Sequence, residues 1–533
     1  MEKKIKIIET LCIIGIVLLA VIIVFAIAFL YADATEQHDQ EQARETEALL
    51  SERMDYFPDS ICYGQKLPVT TFRAADGSER DLNNYAGKKL MLLFWGSWCP
   101  YCDKVLHQWE AYETVLLEHP DYELLLIDKL DTGKGETIEK AQRYLSENVI
   151  PFECVFDEGL IAYKAYGVKR IPTLLILDEQ GYLRYMTTNV PRSAPELQEM
   201  FAYVESGGTA ATERFLRERM IGTDGGVFTT YLDKHGTPPT GHDVLSESQG
   251  ILMEYAVQTR NETLFKQSWR YARENLYQDG VFAWYATEAG KQAAANALID
   301  DLRIYRALKA ANACWGGFEL EIAELASAIL AHNVSDGQLV GFYDFQQKRA
   351  GRIIPLCYID MEALRDLDWN SANQAEGILL GGYISDTFPL YYSAYDYSSQ
   401  KYSTNSMNTS EALMTLYQAV KAGLARRESL EWLERKVVSG TLAARYDVNG
   451  QVVKGFDYDS TAAYAVAALI GAESGNARLY TYARNRMEKY YVTGQSTLQG
   501  SFSDRSDGSD IVAFDQLMPL LVYSSTKDVV FDD

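Results

Sequence analysis

The chain has 533 residues, 47% of them apolar and 23% charged, and at about 150 residues per domain it is expected to hold several domains. So much apolar content excludes a disordered chain. Fifty Lys and Arg against 74 Asp and Glu leave a net charge of −24, which argues against nucleic-acid binding because phosphates need a cationic surface. The scattered Cys and His residues lack metal-ligand spacing, so we expect neither a metal nor a cofactor.

A long apolar segment comes first. Leu11–Tyr31 has no charged residue and is long enough to cross about 30 Å of hydrocarbon as a helix. Lysines precede it, so the positive-inside rule leaves residues 1–10 in the cytoplasm and the rest outside. A cleaved signal peptide is the alternative, since residues 32–34 resemble a peptidase site, but such apolar regions usually have about 7–15 residues. The sequence favours a single-pass anchor in the plasma membrane.

A polar stalk at 32–59 is followed by a region, 60–206, in which strand and helix patterns alternate. Such alternation predicts an α/β fold. Predicted strands are Lys89–Trp95, Tyr122–Ile127, Thr173–Leu177 and Tyr182–Thr187, and predicted helices are 102–118 and 137–147.

From 215 to 533 the strand signal fades and apolar residues recur at helical spacing. About a dozen helices, with no clean sequence repeat, indicate an all-α toroid rather than a regular solenoid. The clearest helical segments are 247–260, 262–276, 291–313, 317–332, 372–381, 409–424, 429–438, 459–474 and 477–491.

A Cys-Pro-Tyr-Cys motif follows the first predicted strand and opens a helix. Cys99 at the helix N-terminus is favoured as a thiolate, because free N–H groups and the helix dipole stabilise the negative charge. Cys102 lies one turn later and can attack a mixed disulfide on Cys99. Pro172, just before a later strand, would lie beside the two cysteines if its peptide bond is cis. Half a zinc site is the alternative, but the chain has no second such pair.

Residues 60–206 resemble the thioredoxin superfamily, particularly its membrane-tethered extracytoplasmic thiol–disulfide oxidoreductases, through the WCPYC and IPT sequences. The resemblance implies that Cys99 is the nucleophile, Cys102 resolves the mixed disulfide, and Pro172 is cis. It also implies protein thiol or disulfide substrates and a separate electron-donor or acceptor protein. The direction of electron flow stays open. Cys62 and Cys154 would be either two buried thiols or a disulfide.

A second constellation lies in the helical region, in Ser246-Glu-Ser-Gln-Gly and in the pair Asp300-Asp301. On its own, Ser246 with Gln249 is a helix capping box, and Glu247 is favourable in a first helical turn. Asp300 and Asp301 would then be solvated helix charges. This reading requires no catalysis.

The same residues resemble glycoside hydrolase family 8, an inverting family with an (α/α)6 toroid. SESQGILM matches the family's SEGQGxxM, with Ser248 replacing Gly, and implies that Glu247 is the general acid. The DGxxW element is matched near Trp284. Of a following two-Asp signature, Asp301 takes the second place, while Ile299 stands at the first.

The general base is ambiguous. Asn408 occupies the family's base position by spacing, whereas Asp459 belongs to a later Tyr-Asp pair without the expected Arg. Inversion needs a carboxylate about 6.5–9.5 Å from the acid, for which Asp459, Asp396 and Glu411 are the candidates. The resemblance thus predicts hydrolysis of a β-linked polysaccharide. The alternative is a redox protein whose toroid binds glycan or serves as a scaffold without catalysis.

Overall fold

The computed structural model describes residues 60–531, except 235, 336 and 495. The predicted cytoplasmic end, anchor and stalk lie outside this range, so they stay predictions. Within the described part, no helix combines the length and apolar character needed to cross a membrane.

A seven-stranded mixed sheet forms the first part of the fold, in the order β2-β1-β5-β4-β3-β6-β7. The central strand β3 is apolar and buried from Leu90 to Trp95, because it is covered on both faces. It runs parallel to β4 and antiparallel to β6. The strands are β1 Thr71–Ala74, β2 Glu79–Asp81, β3 Lys89–Trp95, β4 Tyr122–Asp128, β5 Cys154–Phe156, β6 Thr173–Leu177 and β7 Leu183–Thr187.

Helices connect the parallel strands and cover the sheet. The predicted helix 102–118 is two helices, separated at His107 and Gln108. Pro100 starts the first of them, a position where its missing N–H costs nothing. The helices are α1 Pro100–Leu106, α2 Trp109–Glu118, α3 Ile138–Glu147, α4 Ile161–Ala165 and α5 Ala194–Ser206.

Twelve further helices, counted over the described residues, form the predicted toroid. The odd-numbered helices α7 to α17 pack side by side in a closed inner ring, and the even-numbered ones from α6 to α16 lie outside it. They are α6 Thr209–Arg219, α7 Ser246–Gln258, α8 Glu262–Tyr271, α9 Leu298–Trp315, α10 Glu319–Asn333, α11 Met361–Leu367, α12 Trp369–Gly381, α13 Thr409–Lys421, α14 Arg427–Ser439, α15 Thr461–Glu473, α16 Ala477–Glu488 and α17 Ala513–Ser525.

The loops before the inner helices hold short antiparallel strand pairs. The predicted helix 291–313 therefore begins only at Leu298, because Gln292 and Asn296 form bridges with Ala286 and Ala283. The inner helices begin at one end of the toroid, which we call the front, and finish at the other, the rear.

A buried polar network joins the sheet region to the toroid. The Arg484 side chain on α16 forms an ion pair with Glu488 at 2.9 Å and donates a hydrogen bond to the Tyr203 hydroxyl on α5 at 2.9 Å. The Tyr203 hydroxyl in turn donates to Glu488. Nearby, the Phe531 N–H donates to the Gly64 carbonyl at 3.0 Å. The two parts therefore share a specific, charged contact.

Candidate functional sites

Cys99 caps the N-terminus of α1. Its sulfur accepts a hydrogen bond from the Cys102 N–H at 3.3 Å and lies 2.7 Å from the Cys102 sulfur. The Cys102 thiol and the backbone N–H groups of Cys102 and Tyr101 favour the thiolate, so the pKa of Cys99 falls to about 6. Cys99 is therefore largely ionised at neutral pH.

Cys102 has the opposite environment. Its side chain is 1% exposed, and burial, together with the neighbouring Cys99, raises the pKa of its thiol far above the ordinary value. The pair thus combines one ionised and one protonated sulfur, as stepwise thiol–disulfide exchange requires.

Pro172 lies beside this pair. The Ile171–Pro172 peptide bond is cis, and the Cys99 thiol faces the Ile171 carbonyl oxygen at 3.6 Å. The structure therefore brings together the three redox residues named from the sequence.

Two buried carboxyl groups near this site were missed in the sequence analysis. Asp128 ends β4 and is fully buried, so burial, reinforced by Glu136, raises its pKa to about 9. Glu136 is itself buried and accepts hydrogen bonds from the Ser97 N–H and hydroxyl at 2.9 and 2.7 Å. The sequence does contain a signal for Asp128, because an Asp at the end of an apolar strand indicates a buried carboxyl group.

Cys62 and Cys154 are both buried, and they do not form a disulfide with each other. Burial raises the pKa of Cys154 well above that of an ordinary thiol. Cys154 begins strand β5, whereas Cys99 lies at the start of a helix.

A cavity of about 770 Å³ opens at the front of the toroid. We call it the front cavity. The first turns of α7, α9 and α13 supply its carboxyl groups, Glu247, Asp300 and Glu411. Aromatic side chains line other parts of its wall: Trp284, Phe342, Tyr358 and Phe514. Carboxyl groups beside aromatic faces suit the binding of sugar rings.

The surroundings of Glu247 in this cavity favour its protonated form. Burial raises its pKa to about 7, and the negative charges of Asp300 and Glu411 add to the effect, while Arg303 opposes it. Asp300 accepts a hydrogen bond from the Ser246 hydroxyl at 2.6 Å and lies 3.5 Å from Arg303. A carboxyl group of this kind stays protonated far above the ordinary range.

Asp301 and Asp459, named from the sequence as candidates, do not line the front cavity. Asp301 is fully buried and accepts hydrogen bonds from the Phe282 N–H at 2.9 Å and the Asn296 side chain at 2.7 Å. Asp459 accepts from the Tyr464 hydroxyl at 3.0 Å and lies 3.5 Å from Lys489. Their hydrogen bonds connect them to the protein rather than to a ligand.

Glu411 is the candidate base that does line the cavity, and its side chain is exposed. Asn408, one helical turn earlier, donates a hydrogen bond to Glu411 at 3.2 Å and accepts two from Arg445 at 3.0 and 2.7 Å. Asp396 instead accepts from Ser398 in an exposed hairpin. Glu411 therefore places a carboxyl group in the front cavity three residues after Asn408.

The profile of the Redoxin family matches residues 63–202. This region is a redoxin domain. Over 148 residues the chain is 27% identical to the sporulation thiol-disulfide oxidoreductase A of Bacillus subtilis, covering 27% of this chain and 87% of the relative. A longer match, 22% identical over 324 residues, covers 58% of this chain and 84% of the putative lipoprotein YdaJ of B. subtilis.

Solved structures cover the rest of the chain. An α-amylase from Clostridium perfringens superposes with a TM-score of 0.55 and 26% identity, over 63% of this chain and 99% of that one. A family 8 endoglucanase from Klebsiella pneumoniae has a TM-score of 0.43 and 16% identity, over 59% of this chain and 98% of that one. The redoxin domain confirms the first resemblance. The likeness to the C. perfringens enzyme shows that the helical domain has the glycosidase-like fold that the second resemblance predicts.

Proposed function

We propose that this protein is a membrane-anchored, extracytoplasmic thiol–disulfide oxidoreductase that also hydrolyses a polysaccharide. For the redox half, the supporting observation is the paired environment of Cys99 and Cys102. The Cys99 thiolate attacks a substrate disulfide and forms a mixed disulfide. Cys102 then loses its proton and attacks the Cys99 sulfur, which releases the substrate thiol and leaves a Cys99–Cys102 disulfide. A second dithiol protein supplies the two electrons that restore it.

The hydrolytic half rests on the raised pKa of Glu247 and on the presence of a second carboxyl group, Glu411, in the front cavity. Glu247 donates its proton to the leaving glycosidic oxygen, while Glu411 takes a proton from the water whose oxygen bonds to the anomeric carbon. Asn408, held by Arg445, positions the Glu411 carboxylate. The observation that carries this assignment is that Glu411 and Glu247 line one cavity.

The resemblance and the relatives indicate two different substrate classes. The family 8 resemblance favours a β-linked polysaccharide, whereas the C. perfringens relative is described as an α-amylase. The substrate panel therefore needs both linkage types.

A test compares release of new reducing ends by the full-length chain from β-glucan, xylan, chitosan and starch. We expect Glu247→Gln and Glu411→Gln each to lower the rate by about a hundredfold or more, as losing a general acid or base does. Asp459→Asn is the matched control and should retain the parental rate. Equal loss in the control would reject the assignment of Glu411.

Asn408 at the usual base position favours a second function, in which the toroid binds glycan without cleaving it. The same panel distinguishes the two. Binding to a polymer with no release of reducing ends by the parent would support the binding module and reject the hydrolase.

A further inference from the structure

A second cavity, of about 580 Å³, lies at the rear of the toroid. We call it the rear cavity. The inner helices α7, α9, α11, α13, α15 and α17 all contribute to its wall, mostly through residues in their middle and later turns. Ile299, Glu362 and Ala363 are the exceptions, since they lie in first turns. Its volume lies within the range of about 300–1,000 Å³ that small-molecule sites occupy. It is a different space from the front cavity, where the same helices begin.

Three residues, Ile299, Arg303 and Met414, line both cavities and therefore form the partition between them. Arg303 is 5% exposed and forms ion pairs toward both sides. Its guanidinium lies 3.5 Å from Asp300 of the front cavity and 3.9 Å from Glu254 of the rear cavity.

One buried polar side chain of the rear wall, Gln418, is 3% exposed, and its Oε1 atom has no hydrogen-bond partner among the described residues. A buried polar atom left without a partner costs about 1–3 kcal/mol. This oxygen is an acceptor that needs a donor. The Nη1 atom of Arg303 is instead directed to the front cavity, because it is the atom that lies 3.5 Å from Asp300.

The charged side chains around the rear cavity are paired with each other. Lys309 lies 2.5 Å from Asp366, and Lys421 lies 2.6 Å from Glu362. Arg306 is paired with Glu254. An ionic ligand would have to break these pairs, whereas a neutral hydroxyl group can donate to Gln418 without disturbing them.

We propose that the rear cavity is a second binding site, for a neutral mono- or disaccharide, distinct from the front cavity. A hydroxyl group of the sugar donates to the Oε1 atom of Gln418. Tyr305 and Tyr417 provide the aromatic wall on which a sugar ring packs. This binding site is separate from the hydrolysis proposed for the front cavity, and binding there does not depend on that activity.

Methionine methyl groups allow the two cavities to be distinguished. Met518 lines only the rear cavity. The experiment titrates glucose, maltose and cellobiose separately into the full-length chain, labelled with ¹³C at the methionine methyl groups and purified in a detergent without a sugar headgroup. We expect at least one of the sugars to shift the Met518 signal, assigned by Met518→Leu, to saturation.

Two variants test the location. Ala310 is an exposed residue of the rear wall, so Ala310→Trp should obstruct the opening and abolish the Met518 shift. Ala323→Trp is its matched control, exposed on α10 outside the cavity, and should leave the shift intact. Gln418→Leu should weaken the affinity about five- to tenfold, as one lost hydrogen bond does, without lowering thermal stability.

Three results would overturn the proposal. The first is the absence of a Met518 shift with all three sugars. The second is a shift that Ala310→Trp leaves unchanged. The third is sugar binding that disappears in Trp284→Ala, in the front cavity, while Gln418→Leu binds as tightly as the parent. The experiment measures binding and not hydrolysis. Each result therefore has the same meaning even if the front cavity has no hydrolytic activity.

Discussion

The redox site and the front cavity both place an ionisable group at the start of a helix, yet the two pKa values move in opposite directions. The pKa of Cys99 at the start of α1 falls to about 6. The pKa of Glu247 in the first turn of α7 rises to about 7. A helix N-terminus by itself favours the anion in both cases.

The neighbours decide the difference. The sulfur of Cys99 accepts hydrogen bonds from Cys102, and these stabilise its negative charge. Glu247 instead loses water and faces two other carboxyl groups, Asp300 and Glu411. At Cys99 the hydrogen bonds act in the same direction as the helix dipole. At Glu247 burial and the nearby charges outweigh the dipole, which is worth about 0.3–1 kcal/mol at an exposed position.

The largest expected effect concerns Cys99. Replacing it with Ser removes the sulfur that is ionised at neutral pH, so the full-length chain should lose all measurable reduction of a protein disulfide such as insulin. Cys154→Ser, which changes a buried thiol outside the pair, should keep the parental rate. Continued exchange by the Cys99 variant would show that the nucleophile lies elsewhere.

A smaller effect is expected from Asp300→Asn. Hydrolysis needs protonated Glu247 and should decline as pH rises through about 7. Removing the neighbouring negative charge lowers the pKa of Glu247, so this alkaline limb should move to lower pH, with several-fold less activity at pH 7.5 relative to the optimum. The measurement is the pH profile of reducing-end release. If the alkaline limb stays at the same pH or moves to higher pH, the charge of Asp300 does not raise the pKa of Glu247.

The smallest expected effect is on stability. It concerns Asp128, a buried carboxyl group that lies at the end of a strand and not at the start of a helix. Asp128 keeps its proton in the folded state up to about pH 9, whereas the unfolded chain releases it near pH 4. The folded state therefore binds the extra proton, and Asp128 lowers stability progressively as pH rises through this window. Asp128→Asn should raise the melting temperature more at pH 8 than at pH 5.

Asp121→Asn is the control for that measurement. Its side chain is half-exposed, and a hydrogen bond from Lys89 lowers the pKa of its carboxyl group. Exposed ion pairs contribute little, so this variant should change the melting temperature only slightly. An equal gain in both variants would mean that burial of Asp128 is not the cause.

Much of this organisation could be predicted from the sequence. The Cys-x-x-Cys spacing puts one cysteine at a helix cap and the other one turn later, so their proximity needs no tertiary information. The paired helices likewise indicated a toroid. The break between α1 and α2 could not be predicted, because the apolar residues before and after it keep the spacing of one continuous helix.

The carboxyl groups of the front cavity show where sequence reasoning stops. Asp300 and Asp301 are adjacent on α9, so they point about 100° apart and only one can face the cavity. The family spacing favoured Asp301, but the hydrogen bonds from Phe282 and Asn296 hold it in the wall. Glu411 was one of three candidates, since the sequence does not show which loops meet at the cavity.

The contact between the redoxin domain and the end of the toroid has a consequence for biosynthesis. Arg184 of the domain donates to the Val529 carbonyl at 2.6 Å, across 345 residues of chain. Domains near the N-terminus emerge and fold first, so the redoxin domain is made long before the segment that fastens to it. During that interval its Tyr63–Gly64 and Arg184 surface is uncovered, so this contact forms only after synthesis has passed the last helix of the toroid.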